Sequence, residues 1–173
     1  GLKIKIVNTP WNGIFAALNN GDVDIVISGV TITDKRRQSY DFSTPYFEAR
    51  QLIAVSATST AKSLKDLAGK KVGVSAPGSS TDFFLKYLLK KNGLDPTSAS
   101  VIGVGLGATA VAAMEQGQID AAVMLDPAVT VLQGGHPDLR ILSDTRTQHD
   151  TQAVFGGDYP GGALYSTTAW IAS

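Results

Sequence analysis

A strand candidate, Val23 to Ser28, ends in Ser28-Gly29 and is followed closely by Thr31 and then by Lys35-Arg36-Arg37. Free backbone N–H groups at a strand end, a hydroxyl and a guanidinium are what a carboxylate needs, because Arg presents a planar fork that meets two oxygens at once. The block runs on through Asp41-Phe42-Ser43-Thr44-Pro45-Tyr46-Phe47, and nothing in it pairs a nucleophile with a base. The chain therefore reads first as a binder. A second polar cluster, Ser79-Ser80-Thr81, follows Pro77-Gly78 at a predicted helix start. Hydroxyls and free N–H groups there suit an anion, and plain N-capping also explains them. Asp126 follows the predicted strand Ile119 to Leu125 and precedes Pro127. Strand ends line the crevice of open α/β sheets, yet the same aspartate also fits as a helix cap with Pro127 in the first turn. Trp11 follows Pro10 in a predicted first helical turn capped by Thr9, and either packs on the core or stacks on a ligand. His136 and His149 have no second ligand at useful spacing and read as surface residues, not metal ligands. Gly103-Val104-Gly105-Leu106-Gly107 does not complete a dinucleotide fingerprint.

The elements that must carry these residues follow a repeat. Phe15-Ala16-Ala17-Leu18-Asn19-Asn20-Gly21-Asp22-Val23-Asp24-Ile25-Val26-Ile27 matches Val111-Ala112-Ala113-Met114-Glu115-Gln116-Gly117-Gln118-Ile119-Asp120-Ala121-Ala122-Val123 at one constant offset. Each copy reads as a helix stopped by Gly and followed by a buried strand. With strand candidates before each helix, Ile4 to Asn8 and Ala99 to Val104, each copy is a predicted βαβ unit. Further strands are expected at Arg50 to Val55, Lys71 to Ser75 and Leu139 to Leu142. Helices are expected from the Ser79 cluster to about Asn92, with Phe83, Phe84, Tyr87 and Leu88 on the core face, and from about Asp126 to Gln133. Alternation of this kind predicts a doubly wound, mostly parallel α/β architecture. Ser56-Ala57-Thr58-Ser59-Thr60-Ala61 is small and polar and reads as a hinge, with closure pivoting near Ala54 to Thr58. The Gly-rich tail from Arg146 to Ser173 reads as a long loop with a strand candidate at Ala163 to Ser166.

Composition narrows the partners. The 173 residues carry 15 Lys+Arg against 15 Asp+Glu, a net charge of +0 that argues against nucleic acid or an anionic membrane as the main partner. Hydrophobic residues at 43% predict a packed core, and the absence of cysteine excludes disulfides and thiolate metal sites. No cofactor is expected. No run is apolar and long enough to span a bilayer, and Gly1-Leu2-Lys3-Ile4 does not read as a signal peptide.

Residues 1–56 resemble the polar amino-acid-binding branch of the type II periplasmic solute-binding proteins of ABC transporters. Asn8-Thr9-Pro10-Trp11-Asn12-Gly13-Ile14, Ser28 to Arg36, and Asp41 to Phe47 carry the likeness. It implies two lobes closing on a small ligand, an amino acid or organic anion, for delivery to a permease outside the cytoplasm. Gly29 N–H, the Thr31 hydroxyl and the Arg36 fork would hold the ligand carboxylate. Trp11 would pack on the ligand at the mouth, Ser79, Ser80 and Thr81 would hold it from the other lobe, and Asp126 would take an ammonium group.

Residues 63–173 resemble the second lobe of the sulfonate, nitrate and taurine-binding branch, through Asp66-Leu67-Ala68-Gly69-Lys70-Lys71-Val72-Gly73-Val74, Gly78-Ser79-Ser80-Thr81-Asp82-Phe83-Phe84, Gly117 to Val123 and Ala153 to Pro160. The expectation is a partial lobe I at 1–56 and a lobe II at 57–173 whose tail returns toward the hinge, joined as a divergent natural protein or as a chimera. Against the resemblance, lobe I lacks an opening strand and helix and a closing strand. It is expected to be partly disordered or completed by a second copy in a swapped homodimer. Three alternatives stand: a sulfonate- or nitrate-type ligand, an engineered lobe fusion without effective ligand, and a cyclohexadienyl dehydratase-like enzyme.

Overall fold

The computed structural model describes residues 3–56 and 58–173; Gly1, Leu2 and Ala57, the last within the expected pivot and at the expected lobe boundary, lie outside them. Two sheets divide the chain. The larger has five strands in the order β6-β5-β7-β4-β8, with β4 at Gln51–Val55, β5 at Lys71–Val74, β6 at Ser100–Gly103, β7 at Ala121–Leu125 and β8 at Arg140–Asp144. β5 runs parallel to β6 and β7, whereas β4 runs antiparallel to β7 and β8. The smaller sheet joins β1 (Val26–Ser28), β2 (Tyr40–Phe42) and β3 (Phe47–Glu48) to one long strand, β9 (Pro160–Thr167), and every pairing is antiparallel. The larger sheet is therefore mixed and the smaller wholly antiparallel, rather than mostly parallel, within an α/β fold.

Alternation explains the larger sheet. Ile53 and Val55 of β4 and Ala121 and Val123 of β7 face one core with α3 (Ser80–Lys91), while Leu52, Ala54, Ala122 and Met124 face the other with α4 (Ala108–Glu115) and α5 (Ala128–Gly135). β4 is buried along its whole length, which an apolar run covered on both faces requires. On α3 the buried row is Phe84, Leu85, Leu88 and Leu89, rotated by one position from the expected face. Tyr87 is exposed and rests on Phe155 instead.

Both repeat copies form the same local structure. Gly21 N–H donates to Leu18 O and Asp22 N–H to Ala17 O; Gly117 N–H donates to Met114 O and Gln118 N–H to Ala113 O. Gly21 and Gly117 have φ of 76° and 66°, a left-handed turn that favours glycine. The copies then part. β7 enters a parallel ladder after α4, but β1, after α1 (Ile14–Asn19), pairs only with β9, and Ile4 to Asn8 form no strand. The first βαβ unit is thus not made: no neighbouring strand meets those residues, and Ile4 and Ile6 are exposed.

Two further elements differ from the sequence expectation. The 50–55 strand, read as lobe I's hinge strand, lies inside the five-stranded sheet. The tail contains a helix, α6 (Gln148–Phe155), capped by Thr147 Oγ1 accepting from Asp150 N–H at 3.1 Å, before β9 crosses back into the small sheet. A last short helix, α7, spans Thr168–Ile171.

Candidate ligand-binding site

Two lobes face each other across a cleft of about 500 Å³. From the small-sheet side it is lined by Trp11, Ser28 and Gly29, from the large-sheet side by Ser75, Ser79, Ser80 and Leu125, and at the back by Tyr46, Phe47, Gly161 and Gly162. The closeness of β9 to β3 is set at Gly161, where a Cβ would stand 2.4 Å from Ala49 N. Only glycine fits there.

Arg36 lies in α2 (Asp34–Arg37), whose start is fixed by Thr33 Oγ1 accepting from Arg36 N–H at 3.2 Å. Its guanidinium sits between two rings, 5.1 Å from the Phe15 centroid and 5.3 Å from that of Phe83. Nη1 donates to Thr31 O at 2.7 Å and Nη2 to Gly78 O at 3.0 Å. The fork thus reaches from one lobe to the other. Burial lowers the Arg36 pKa below its ordinary value, opposed by Tyr165, Tyr159 and Tyr40. Trp11 makes a second crossing, its Nε1–H donating to Pro77 O at 3.0 Å.

The loop receiving both crossings is held by α3. Asp82 Oδ2 accepts from Gly78 N–H and from Lys86 Nζ, each at 2.7 Å, so the 77–78 carbonyls are positioned by a carboxylate in the helix's first turn. Behind it, Ser75, Ser79 and Thr81 bond one another: Ser75 N–H donates to Thr81 Oγ1 at 2.8 Å, Ser75 Oγ–H donates to Ser79 Oγ at 2.8 Å, and the Ser79 and Thr81 hydroxyls stand 2.8 Å apart. Ser80, also buried, faces Gly29 of the other lobe, where a Cβ would be 3.5 Å from its Oγ.

Of the residues singled out from sequence, Trp11, Gly29, Ser79 and Ser80 line the cleft together, while Thr31, Arg36 and Thr81 are not part of its lining. Asp126 is exposed and off the lining; Pro127, not Asp126, is the N-cap of α5, and Asp126, one residue earlier, accepts at Oδ1 from Thr130 N–H at 3.2 Å and from Thr130 Oγ1–H at 2.8 Å. Sequence reasoning missed Tyr159, whose hydroxyl lies 3.3 Å from Thr31 Oγ1 and whose ring stacks on Phe155 at 4.4 Å and 7°. It also missed Phe15 and Phe83, the two rings around Arg36. The aromatic before Pro160 was the available signal for Tyr159. Among the described residues no group of three His, Cys, Asp or Glu could hold a metal ion, and no helix is long and apolar enough to cross a membrane.

Two lobes, a cleft between them and a guanidinium bonded to backbone carbonyls of both complete the geometry. The chain belongs to the bacterial extracellular solute-binding proteins, family 3, whose model matches residues 1–140. It is 39% identical over 161 residues to a probable histidine-binding protein of Neisseria gonorrhoeae, covering 90% of this chain and 58% of that protein. An arginine-binding extracellular protein of Bacillus subtilis is 40% identical over 74 residues, 43% of this chain and 29% of that protein. Among solved structures, a protein of Bordetella bronchiseptica RB50 superposes with a TM-score of 0.80 at 36% identity, over 93% of this chain and 52% of that one. An ancestral arginine-binding protein bound to arginine gives 0.68 at 28% identity, over 97% and 68%. The chain spans 58% of the length of the Neisseria protein and 52% of that of the Bordetella protein. The architecture is that of type II periplasmic binding proteins.

Proposed function

We propose that this chain acts outside the cytoplasm as the ligand-closing part of an ABC importer's solute-binding protein. In this reading it holds an amino-acid-like zwitterion between lobe I and lobe II and presents it to a permease. The carrying observation is the Arg36 guanidinium, stacked between two aromatic rings and spending its fork on two backbone carbonyl oxygens, Thr31 O and Gly78 O. A ligand carboxylate, being charged, outcompetes a neutral carbonyl for Nη2, with Gly29 N–H and the Ser80 hydroxyl beside it. Thr31 is placed by Tyr159, Ser79 and Thr81 brace the facing loop, and Trp11 covers the mouth. Asp126 takes the ligand ammonium if it turns from Thr130.

Lobe I in this reading comprises residues 1–49 with the returning strand β9, and lobe II most of the stretch between. A family model that runs unbroken through residues 56–63, and a relative aligned over 90% of the chain, favour one continuous amino-acid-binding lineage over a chimera. The exposed edge of lobe I further suits a homodimer.

Calorimetric titration with the common amino acids, taurine and nitrate tests the reading. One amino acid is expected to bind, with affinity falling about a hundredfold or more in Arg36→Ala. Binding of taurine or nitrate alone would instead assign a sulfonate-type ligand. A cooperative melt with no ligand response would assign a lobe fusion without a working site. Turnover of a cyclohexadienyl acid would make it an enzyme.

A further inference from the structure

The described residues of the polar run 56–61 do not lie at the ligand cleft. β4 begins beside the cleft, where Gln51 pairs with the lining residue Leu125, and ends at Val55, which pairs with Ala121 and Arg140 at the far end of the larger sheet. The loop that follows is pinned there. Arg140 Nη1 donates to Ala61 O at 2.8 Å, Ser59 N–H donates to Ser56 O at 3.0 Å, and the Ser56 and Thr58 hydroxyls stand 3.1 Å apart. Against this loop opens a second cavity of about 610 Å³, a size that holds a small molecule. Its lining falls within residues 56–139 and shares no residue with the cleft.

The floor of this cavity is apolar. Met114, Ile119 and Leu132 belong to the buried core beneath α4 and α5, and Leu139 packs beside them. The rim is charged, and unevenly so: one cation, Lys70, stands among three acids, Glu115, Asp120 and Asp138. Lys70 Nζ donates to Thr60 Oγ1 at 3.5 Å, Asp120 Oδ2 accepts from Lys71 N–H at 2.8 Å, and Glu115 Oε1 lies 3.2 Å from His136 Nε2. No described residue bonds the Asp138 carboxylate. α4 ends at Glu115 and α5 at Gly135, so both helices bring their C-terminal carbonyls to this rim, where the helix dipole favours positive charge. Acids in excess and two helix C-termini repel an anion and attract a cation. The apolar floor asks for hydrocarbon behind that charge. A metal ion does not meet the demand, because among the described residues no three His, Cys, Asp or Glu are grouped to hold one.

We propose that this cavity is a second ligand site, which takes a small organic amine: an ammonium or guanidinium at Asp138 and Glu115, with its hydrocarbon body on Met114, Ile119 and Leu132. The site belongs to the larger lobe alone and does not rest on the amino-acid-binding reading of the cleft.

Calorimetric titration with phenylethylamine and with agmatine tests it, at about pH 8, where an alkylamine is charged. At least one of the two is expected to bind with a Kd of about 1 mM or tighter. 2-Phenylethanol, which lacks the charge, and phenylacetate, which reverses it, should bind about tenfold more weakly or not at all. Glu115→Gln with Asp138→Asn should weaken amine binding by about tenfold or more. Both side chains are exposed, so the double variant should melt as the unaltered chain does. Should it not fold, Asp138→Asn alone breaks no described bond and is expected to weaken binding severalfold. Amide NMR shifts caused by the bound amine are expected at Lys70, Gly117 and Asp120 and not at Gly29 or Ser80. No binding of either amine, equal binding of 2-phenylethanol, equal affinity in the acid variants, or shifts confined to Gly29 and Ser80 would each overturn the proposal. Amino-acid titration of the same samples reads the cleft separately, because neither Glu115 nor Asp138 lines it.

Discussion

At the scale of single residues, the site is an arrangement of aromatic surfaces around one cation. Tyr159 links its parts: its ring is stacked on Phe155 and its hydroxyl lies 3.3 Å from Thr31 Oγ1, beside the Thr31 carbonyl that anchors Arg36. Tyr159→Phe keeps the stack and loses the bond. The expected cost is about 0.5–1.5 kcal/mol in urea unfolding, with a severalfold loss of ligand affinity. No change in either would remove Tyr159 from the site. Tyr165 differs, because its buried hydroxyl has no hydrogen-bond partner among the described residues. Tyr165→Phe is therefore expected to be neutral or stabilising at pH 7, since it deletes an unpaired buried polar group. Burial raises the pKa of both tyrosines. A raised folded-state pKa means that their contribution is complete below the ordinary tyrosine value of about 10 and is lost as pH rises beyond it. Unfolding free energy measured from pH 8 to 11 should fall above about pH 10, and fall less in Tyr165→Phe. A profile that stays flat to pH 11 would show that neither hydroxyl is held neutral by the fold.

At the scale of elements, what was legible in the sequence was what local physics decides. The repeat showed helix, glycine turn and strand in both copies, and both copies make the same turn hydrogen bonds, because a left-handed glycine after a helix needs no distant partner. Pairing was not legible. Whether Ile4 to Asn8 become a strand depends on a neighbour, and β2 and β3 are too short to show a period; both exist because β9, more than a hundred residues later, supplies their partner. The site divides in the same way. Gly29, Thr31 and Arg36 were visible as a chemical set, whereas Phe15 and Phe83 meet the same cation from α1 and α3 without a local mark, and Tyr159, in the loop before β9, had only its place before Pro160. α3 serves both roles, since Phe83 meets Arg36 while Phe84, fully buried one position on, fills the larger core. Phe84→Ala is expected to cost about 3–5 kcal/mol in urea unfolding. Gly161→Ala, which sets a Cβ against the backbone of Ala49, should cost about 1–3 kcal/mol. If Gly161→Ala left both stability and ligand affinity untouched, the close approach of β9 and β3 would have no bearing on the cleft.

At the scale of the whole molecule, the two sheets depend on the chain unequally. All five strands of the larger sheet lie between Gln51 and Asp144, with a core on each face. The smaller sheet has one core, of Ile14, Leu18, Val26, Val30, Tyr40 and Tyr165, and each of its strands is joined through β9 alone. Remove β9 and β1, β2 and β3 have no partner, while Tyr165, which contacts Phe15, Tyr40 and Phe42, leaves the centre of their core. A chain ending at Gly157 should therefore keep one cooperative unfolding transition from the larger sheet and lose amide protection across 26–28 and 40–42, where an isolated short strand cannot hold itself. Hydrogen exchange reads this directly. Protection retained in β1 and β2 without β9 would mean that the small lobe folds from its own residues, and the cleft would not require the crossing back. The same truncation separates folding from binding. Gly161 and Gly162 at the back of the cleft leave with β9, so the ligand response should vanish while the larger sheet still melts cooperatively. Binding that survived would place the site wholly on the larger lobe and its helix termini.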